Sequence, residues 1–372
     1  MIADRKECRL CGGTVKTKLQ LNPTPIANLF PDTPMTGDIY PLELRECEDC
    51  QHVQIGHVVP DNVLYGESYK YETPLAQIPE MDAQAENLKH IFSNARTALE
   101  IGSNNGLFVD ALYRAGFEAE GIDPSGTGDH VIKSPFTSKF AKHYPITDLI
   151  IAKNVFAHID DLDDVIRGVD MILAEDGVLI FEVQYFLEMA ERGEFDMIYH
   201  EHRDYHTVAP LIPFLASHNM RIVHVERLPN HGGSIRVYCG RGGMMPMAEK
   251  TVDWDEFKSH IDFFSQHIIR EVTEAANNSQ IIMFGATAKA CTLVHHLGIA
   301  DMIAYAVDST PRKQGKYIAG TKIKIMPEES LSQSKSNKTI LISAWNYSDY
   351  IIQKYPDREF IIPFKPRQRK AV

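Results

Sequence analysis

Up to about residue 60 the apolar positions are sparse and broken by turn formers: Pro23, Pro25, Pro31, Pro34, Gly37 and Pro41. Beyond that point short apolar runs alternate with helical stripes. "VLYGESYKYETP" reads as a tyrosine-bearing loop and "LAQIPEMDAQAENLKHIF" as a helix. Residues 98–101 predict a strand, followed by a polar glycine turn, a helix over 107–115 and a second strand ending in Asp123. This is a βαβ unit. "DLIIAKNV" and "GVLIFEVQY" predict strands, and "LDDVIRGVDMIL" and "LEMAERGEF" helices. "VAPLIPFLASHNM" reads as helical despite Pro213. "RIVHVERL" and "SIRVYCG" read as two strands of a hairpin joined by "PNHGG". The pattern predicts an α/β fold, a doubly wound sheet with an antiparallel edge. Residues 244–278 look like a helical linker. From 279 a second, smaller α/β pattern begins with "SQIIMFGATAKACTLVHHLGI". The expected parts are thus 1–60, 61–243, 244–278 and 279–372, with the basic tail "KPRQRKAV" expected to be frayed.

Composition adds limits. No apolar run approaches the roughly 18–20 residues of a membrane span, and "MIADRKECRL" is no signal peptide. The expectation is a cytoplasmic protein with no membrane partner. A formal net charge of −12 gives no general reason to bind nucleic acid. An anionic small ligand would need locally placed cations or helix N-termini. Four of the six cysteines, Cys8, Cys11, Cys47 and Cys50, form two C-x-x-C pairs. Without a secretion signal such pairs favour metal over disulfides. Two knuckles supplying two thiolates each complete a tetrahedral, structural zinc site. A segment so poor in core would depend on that ion.

In "LEIGSNNG" the glycines Gly102 and Gly106 allow a sharp strand-to-helix turn and close approach of a ligand to the backbone. The turn lacks the G-x-G-x-x-G dinucleotide pattern. Glu100 precedes it, and Asp123, about twenty residues on, suits ribose hydroxyls. An acidic E-x-G-x-x-x-G loop suits cationic S-adenosylmethionine better than NAD. Glu100, Gly102, Ser103, Asn104, Gly106 and Asp123 are the candidate cofactor residues, with Asn154 at the end of a later strand.

The zinc knuckles, "EIGSNNG", "GIDPS", "NVFAHIDDL", "YHEH", "NHGGSIRV", "FGATAKA" and "VDSTPRKQGKYIAGTKI" occur in that order. Together they resemble the zinc-containing, S-adenosylmethionine-dependent C-methyltransferases that act on nucleotide-linked ketosugars, over nearly the whole chain. The resemblance implies a class I methyltransferase-like Rossmann core, an N-terminal zinc subdomain and a C-terminal Rossmann-like domain. It also implies a nucleotide-linked sugar, of the deoxysugar type, as substrate. Two departures stand out: Asn105 where the family usually has Asp, and a short segment after Asp123.

Methylating carbon next to a ketone needs a base for the acidified proton, a donor for the enolate oxygen, and alignment of carbon and methyl. "IYHEHRDYH" (198–206) matches the family's Tyr-x-Glu-His motif. It offers His202 as general base, Glu201 to orient or polarise an imidazole, and Tyr199 as oxyanion donor. His158, after a strand that should end beside the methyl donor, is a second acid/base candidate. Tyr65, Tyr69 or Tyr71 is expected as a lid or substrate contact. The i, i+2, i+6 spacing of His200, His202 and His206 does not suit metal binding. His206, His218, His224, His295 and His296 read as ordinary surface or backbone-satisfying histidines.

"MFGATAKA" resembles a phosphate cradle, with Gly285 at the turn and Lys289 at a helix N-terminus. Arg312, Lys313 and Lys316 add local positive charge. The resemblance implies that the sugar nucleotide spans the cleft between the two α/β domains. His231, beside Asn230 in "NHGGS", faces the same substrate or is only part of a hairpin turn. The alternatives to carbon methylation are an O- or N-methyltransferase on another nucleotide-linked metabolite, and a non-catalytic nucleotide-sugar-binding scaffold.

Overall fold

A computed structural model of the chain describes residues 2–65, 73, 75–243, 249–331 and 337–364. Its largest sheet has seven strands, in the order Arg221–Leu228, Ser234–Gly240, Leu173–Gln184, Thr147–Lys153, Thr97–Ile101, Glu118–Ile122, Val131–Ile132. Period-two alternation sends Ala98 to the face covered by helices Ile78–Ile91 and Leu107–Arg114. Leu99 and Ile101 face helices Leu162–Ile172 and Val208–Ala216. Both faces are therefore apolar and both are covered, as a parallel sheet requires. All strands run parallel except Ser234–Gly240, which pairs antiparallel with both neighbours.

The hairpin forms the antiparallel edge that the sequence pattern predicts, with Arg221–Leu228 outermost and Ser234–Gly240 one place inside it. Burial explains this order. Ser234–Gly240 is buried along almost its whole length, whereas Arg221–Leu228 exposes several polar residues and tolerates the edge.

The departure after Asp123 is structural. Parallel neighbours are usually joined by a dozen or more residues including a helix. Here residues 123–130 alone connect Glu118–Ile122 to Val131–Ile132, without a helix. Glycines let this loop lie on the turn before it. A Cβ on Gly128 would come within 2.9 Å of the Asn105 carbonyl oxygen.

The N-terminal residues form a four-stranded antiparallel sheet, ordered Asp204–Tyr205, Val53–Ile55, Tyr40–Cys47, Val15–Thr24. Its edge strand is thus supplied by the histidine-rich segment. The C-terminal residues form a five-stranded parallel sheet: Ile325–Met326, Ile303–Val307, Gln280–Phe284, Lys338–Ile342, Glu359–Ile361. One continuous core joins Leu42, Leu44 and Ile55 of the N-terminal sheet to Phe257 and Ile261 of helix Trp254–Ala276 and to Leu293 and Trp345. The side chain of Asp253 caps that helix by accepting from the backbone N–H groups of Asp255 and Glu256. No helix among the described residues is long and apolar enough to cross a membrane.

The joint between the core and the C-terminal domain rests on Gly232, whose φ is +88°. A Cβ there would run into the Glu194 carboxylate and lie 2.7 Å from the Trp345 ring. Gly232→Ala should therefore lower stability by about 2 kcal/mol or more, from left-handed backbone strain plus overpacking. Urea unfolding checks this. A loss within about 0.5 kcal/mol, the range of an ordinary surface change, would mean that the joint repacks freely.

Candidate active site

The four knuckle cysteines converge. Their sulfurs lie within 4.8 Å of one another, with Cys8–Cys50 at 3.6 Å, Cys11–Cys47 at 3.5 Å and Cys11–Cys50 at 3.4 Å. A tetrahedral ion with Zn–S bonds near 2.3 Å needs sulfurs roughly 3.8 Å apart, so the site fits zinc and its shell is closed. Among the described residues no other His, Cys, Asp and Glu side chains gather closely enough to hold a metal. His200, His202 and His206 do not share a centre.

Arg9 sits inside the first knuckle and is buried. Its backbone N–H donates to Gln54 Oε1 at 2.9 Å. Its guanidinium donates to Asp204 Oδ1 at 2.9 Å, Asp160 Oδ1 at 3.3 Å and the Ile159 carbonyl at 2.5 Å. His52 Nε2 lies 2.8 Å from the same Asp204 oxygen. This cationic surrounding holds the Asp204 carboxyl well below the usual range despite its burial.

At the cofactor turn Gly102, Asn104 and Gly106 all have positive φ, as the sharp reversal demands. Gly102 also makes room for Val155, which a Cβ would meet at 2.6 Å. Asp123 accepts from Asn104 N–H at 3.0 Å and from Ser125 N–H and O–H at 2.7 and 2.8 Å. Of about four lone-pair sites, three are filled by the protein itself. Glu100 is buried with Oε2 unpartnered, and the Ser103 hydroxyl is also buried without a partner. Burial pushes the Glu100 carboxyl up to about 8, with Lys153 opposing and Glu182 and Asp123 reinforcing. Orphaned acidic and hydroxyl groups beside a glycine turn fit a cationic, hydroxyl-bearing cofactor such as S-adenosylmethionine. Asn154, also at positive φ, is exposed beyond the end of Thr147–Lys153.

The structure brings three of the four proposed catalytic side chains together. Tyr199 Oη lies 2.7 Å from His202 Nε2, and His202 Nδ1 lies 3.1 Å from the Met197 carbonyl. Since a carbonyl only accepts, Nδ1 carries the proton and Nε2 accepts from the tyrosine. His158 crosses His202 edge-on with ring centroids 5.0 Å apart. Tyr65 Oη reaches His158 Nδ1 at 3.3 Å. Burial depresses His158 to about 4, a backbone hydrogen bond to Glu201 acts the other way, and Arg203 depresses it further. The ring is neutral at pH 7.

Glu201 does not join them. It is buried, and its Oε1 accepts from the Asn28 N–H at 2.8 Å and the Asn28 side-chain amide at 3.1 Å, while Oε2 has no partner. The expected contact to an imidazole is replaced by an anchor to the N-terminal segment. His206 also departs from expectation. It is neither exposed nor bonded to the backbone, but buried with both ring nitrogens unpartnered. Tyr69 and Tyr71 lie outside the described residues, as does the tail 365–372. Of His231 only the backbone is described, in the turn Asn230–Gly232. On either side of 66–72, Tyr65 is tied to His158, and Thr73 donates to Asn104 Oδ1 at 3.0 Å and accepts from Asn105 Nδ2 at 3.0 Å.

The second turn is already engaged. Ala286 N–H donates to Asp308 Oδ2 at 2.8 Å, and Lys313 Nζ donates to the Ala286 carbonyl at 2.9 Å. Gly285, at φ +98°, packs on Ala344. Lys289 does not face an open cradle. Its ammonium lies 3.9 Å from the Trp345 ring centre, with Asp196 and Glu194 stabilising its charge against burial. Lys316 pairs with Asp32 at 3.0 Å, and Arg312 is exposed. Residues that sequence reasoning passed over, Arg9, Asn28, Asp160 and Arg203, act through partners far away in the chain. Arg9 and Asp204 are 195 residues apart, so no local signal marks them.

Three family models match successive stretches: "Putative zinc binding domain" over residues 8–65, "Methyltransferase domain" over 77–225, and "C-methyltransferase C-terminal domain" over 229–361. The chain is 28% identical over 396 residues to the C-methyltransferase NovU of Streptomyces niveus, a match covering 95% of this chain and 93% of NovU. Among solved structures, the mitomycin 7-O-methyltransferase MmcR matches 49% of this chain at 16% identity and a TM-score of 0.35. That match spans 56% of MmcR, just over half its length. Magnesium protoporphyrin IX methyltransferase from Synechocystis PCC 6803, with bound SAH, matches 46% of this chain and 90% of its own at 13% identity and a TM-score of 0.35.

Two measurements follow from these sites. Metal analysis should return about one zinc per chain, bound through thiolates; a water-occupied ligand position would contradict the closed shell. The second concerns His200, which is buried against Tyr40 and depressed to about 4, chiefly by burial. Folded His200 stays neutral to about pH 4, while the unfolded chain takes up that proton near 6.5. The unfolded state binds more protons between these values, so stability falls as pH falls through that window. His200→Phe should lose less stability than wild type between pH 7 and 4.5, by up to about 3 kcal/mol. Identical pH slopes in urea titrations would mean that the folded protein protonates this ring.

Proposed function

We propose that this chain, which belongs to the zinc-containing, S-adenosylmethionine-dependent C-methyltransferases, methylates the carbon next to the ketone of a nucleotide-linked ketosugar. The Tyr199–His202 pair beside a neutral His158 is the observation that carries this reading. Transfer to oxygen or nitrogen needs little base machinery, whereas a C–H next to a ketone needs a base and an oxyanion donor together. On this reading residues 1–60 form the zinc-binding part, 61–243 the methyl-transfer core, and 279–372, after a helical linker over 244–278, the nucleotide-sugar-binding part.

His202 Nε2 is the basic atom, because Nδ1–H is committed to the Met197 carbonyl. As the substrate proton arrives on Nε2, the Tyr199 hydroxyl stops donating to it. It accepts from Nε2–H instead, and its own proton becomes free for the enolate oxygen. His158, held neutral beside His202, is the second acid/base candidate. Tyr65 orients His158, and Tyr71 and His231 are proposed substrate contacts. Glu100, Gly102, Ser103, Asn104, Gly106, Asp123 and Asn154 are the proposed cofactor residues. When bound, S-adenosylmethionine supplies an electrophilic methyl on a sulfonium. Gly285 and Arg312 are the proposed nucleotide contacts in the second domain. Lys289 and Lys316 would first have to leave their acidic neighbours.

His202→Ala should cut turnover on a nucleotide ketosugar by about 10²–10⁴ while both ligands still bind. Solvent deuterium exchange at the carbon next to the ketone, with an unreactive cofactor analogue present, isolates the proton step. Wild-type protein should exchange that proton and the variant should not. Exchange at the wild-type rate in the variant would move the role to His158. Exchange unaffected by either histidine would leave carbon methylation without its base.

A further inference from the structure

The zinc knuckle and the histidine pair meet through one side chain. Arg9 lies between two thiolate ligands and contacts both segments that carry the histidines. Its Nε bonds Asp204, two residues after His202; its two terminal nitrogens bond Ile159 and Asp160, directly after His158. The knuckle fixes the Arg9 backbone, and Gln54, which takes the Arg9 N–H, is paired across the sheet with Asp204. The loop after His158 is also held from the other side, because Arg203 N–H donates to the Ala157 carbonyl at 2.7 Å.

We propose that Arg9 is a positioning residue, through which the bound zinc sets the separation and angle of the His158 and His202 rings. The argument is geometric. A guanidinium presents its donors in a rigid plane, so engaging three oxygens on two segments fixes those segments relative to each other. The two rings touch edge-on at 5.0 Å. A displacement of about 1 Å at such a pair is enough to cost roughly 10² in rate. The knuckle supplies the fixed end of this fork. Loss of the ion would therefore act on the histidines even where the sheets stay folded. The kinetic half of this inference rests on the function proposed above; the positional half does not.

Arg9→Met removes the fork and keeps much of the volume, while Arg9→Lys keeps the charge without the fork. Both should retain one zinc per chain and native circular dichroism. In protein labelled with ¹⁵N-histidine, the His202 and His158 imidazole signals should shift or broaden in both variants, with Lys giving no more than partial rescue. Turnover should fall about 10²-fold in Arg9→Met with KM changed less than threefold. Imidazole spectra that superpose on wild type in zinc-loaded, folded Arg9→Met would overturn the proposal. So would shifted spectra with turnover within twofold of wild type. Should Arg9→Met fail to keep zinc, zinc-loaded Arg9→Lys decides by the same spectra: shifted His158 and His202 signals support the fork, and no change refutes it. If the wild type methylates no ketosugar at all, the functional reading fails while the spectra still decide the positioning.

Discussion

A polar segment that runs through a protein interior must find partners along its whole length, or its desolvation is uncompensated. Residues 198–206 are such a segment, and their pairing orders the molecule. Asp204, fully buried, takes Arg9 and His52 on one oxygen. Arg203 pairs with Asp61 and Asp160, and Glu201 holds Asn28. Backbone groups add two further ties, though the rings of His200 and His206 stay without hydrogen-bond partners: Asp204–Tyr205 completes the N-terminal sheet, and the Ile198 carbonyl accepts from Thr292 of the C-terminal domain at 2.7 Å. Removing one member of a buried ion pair typically costs about 3–5 kcal/mol, because the other charge is left alone. The histidine-rich segment is therefore a structural tie between three sheets as well as a source of chemistry.

The same burial sets protonation. His158 is neutral because its charged form is poorly solvated, and the tautomer of His202 is fixed by the Met197 carbonyl. Near the same end of the sheet, burial acts with the opposite sign on Glu100, raising a carboxyl instead of depressing an imidazole. One desolvated region thus holds a lone-pair base and an acid that a cation would ionise. An acid that a cation ionises suits the binding of a sulfonium.

The two glycine turns are alike in shape and differ in load. At Gly102 the turn leaves buried polar atoms without partners. At Gly285 the backbone amide of the next residue is taken by Asp308, and the nearby lysines are held by acidic or backbone oxygens. A strand–glycine–helix pattern fixes where a turn lies. Which of its groups stay open depends on side chains from other elements.

By itself the sequence determined what local chemistry and period decide. The strand pattern at 98–101 and the apolar runs at 149–152 and 178–181 predict buried strands. The two C-x-x-C pairs specify a closed metal site, and the methyltransferase core and its cofactor follow from the order of short motifs. The folded chain alone decided what depends on neighbours remote in sequence. It set Ser234–Gly240 inside Arg221–Leu228 in the edge hairpin, because burial along a whole strand is a property of the sheet. It turned Glu201 away from the imidazoles towards Asn28, and Lys289 towards Glu194 and Asp196. It left His206 buried without a partner and joined Arg9 to Asp204. Each of these outcomes is a competition for one polar atom among donors brought together only by folding, and no residue type or spacing along the chain encodes who wins.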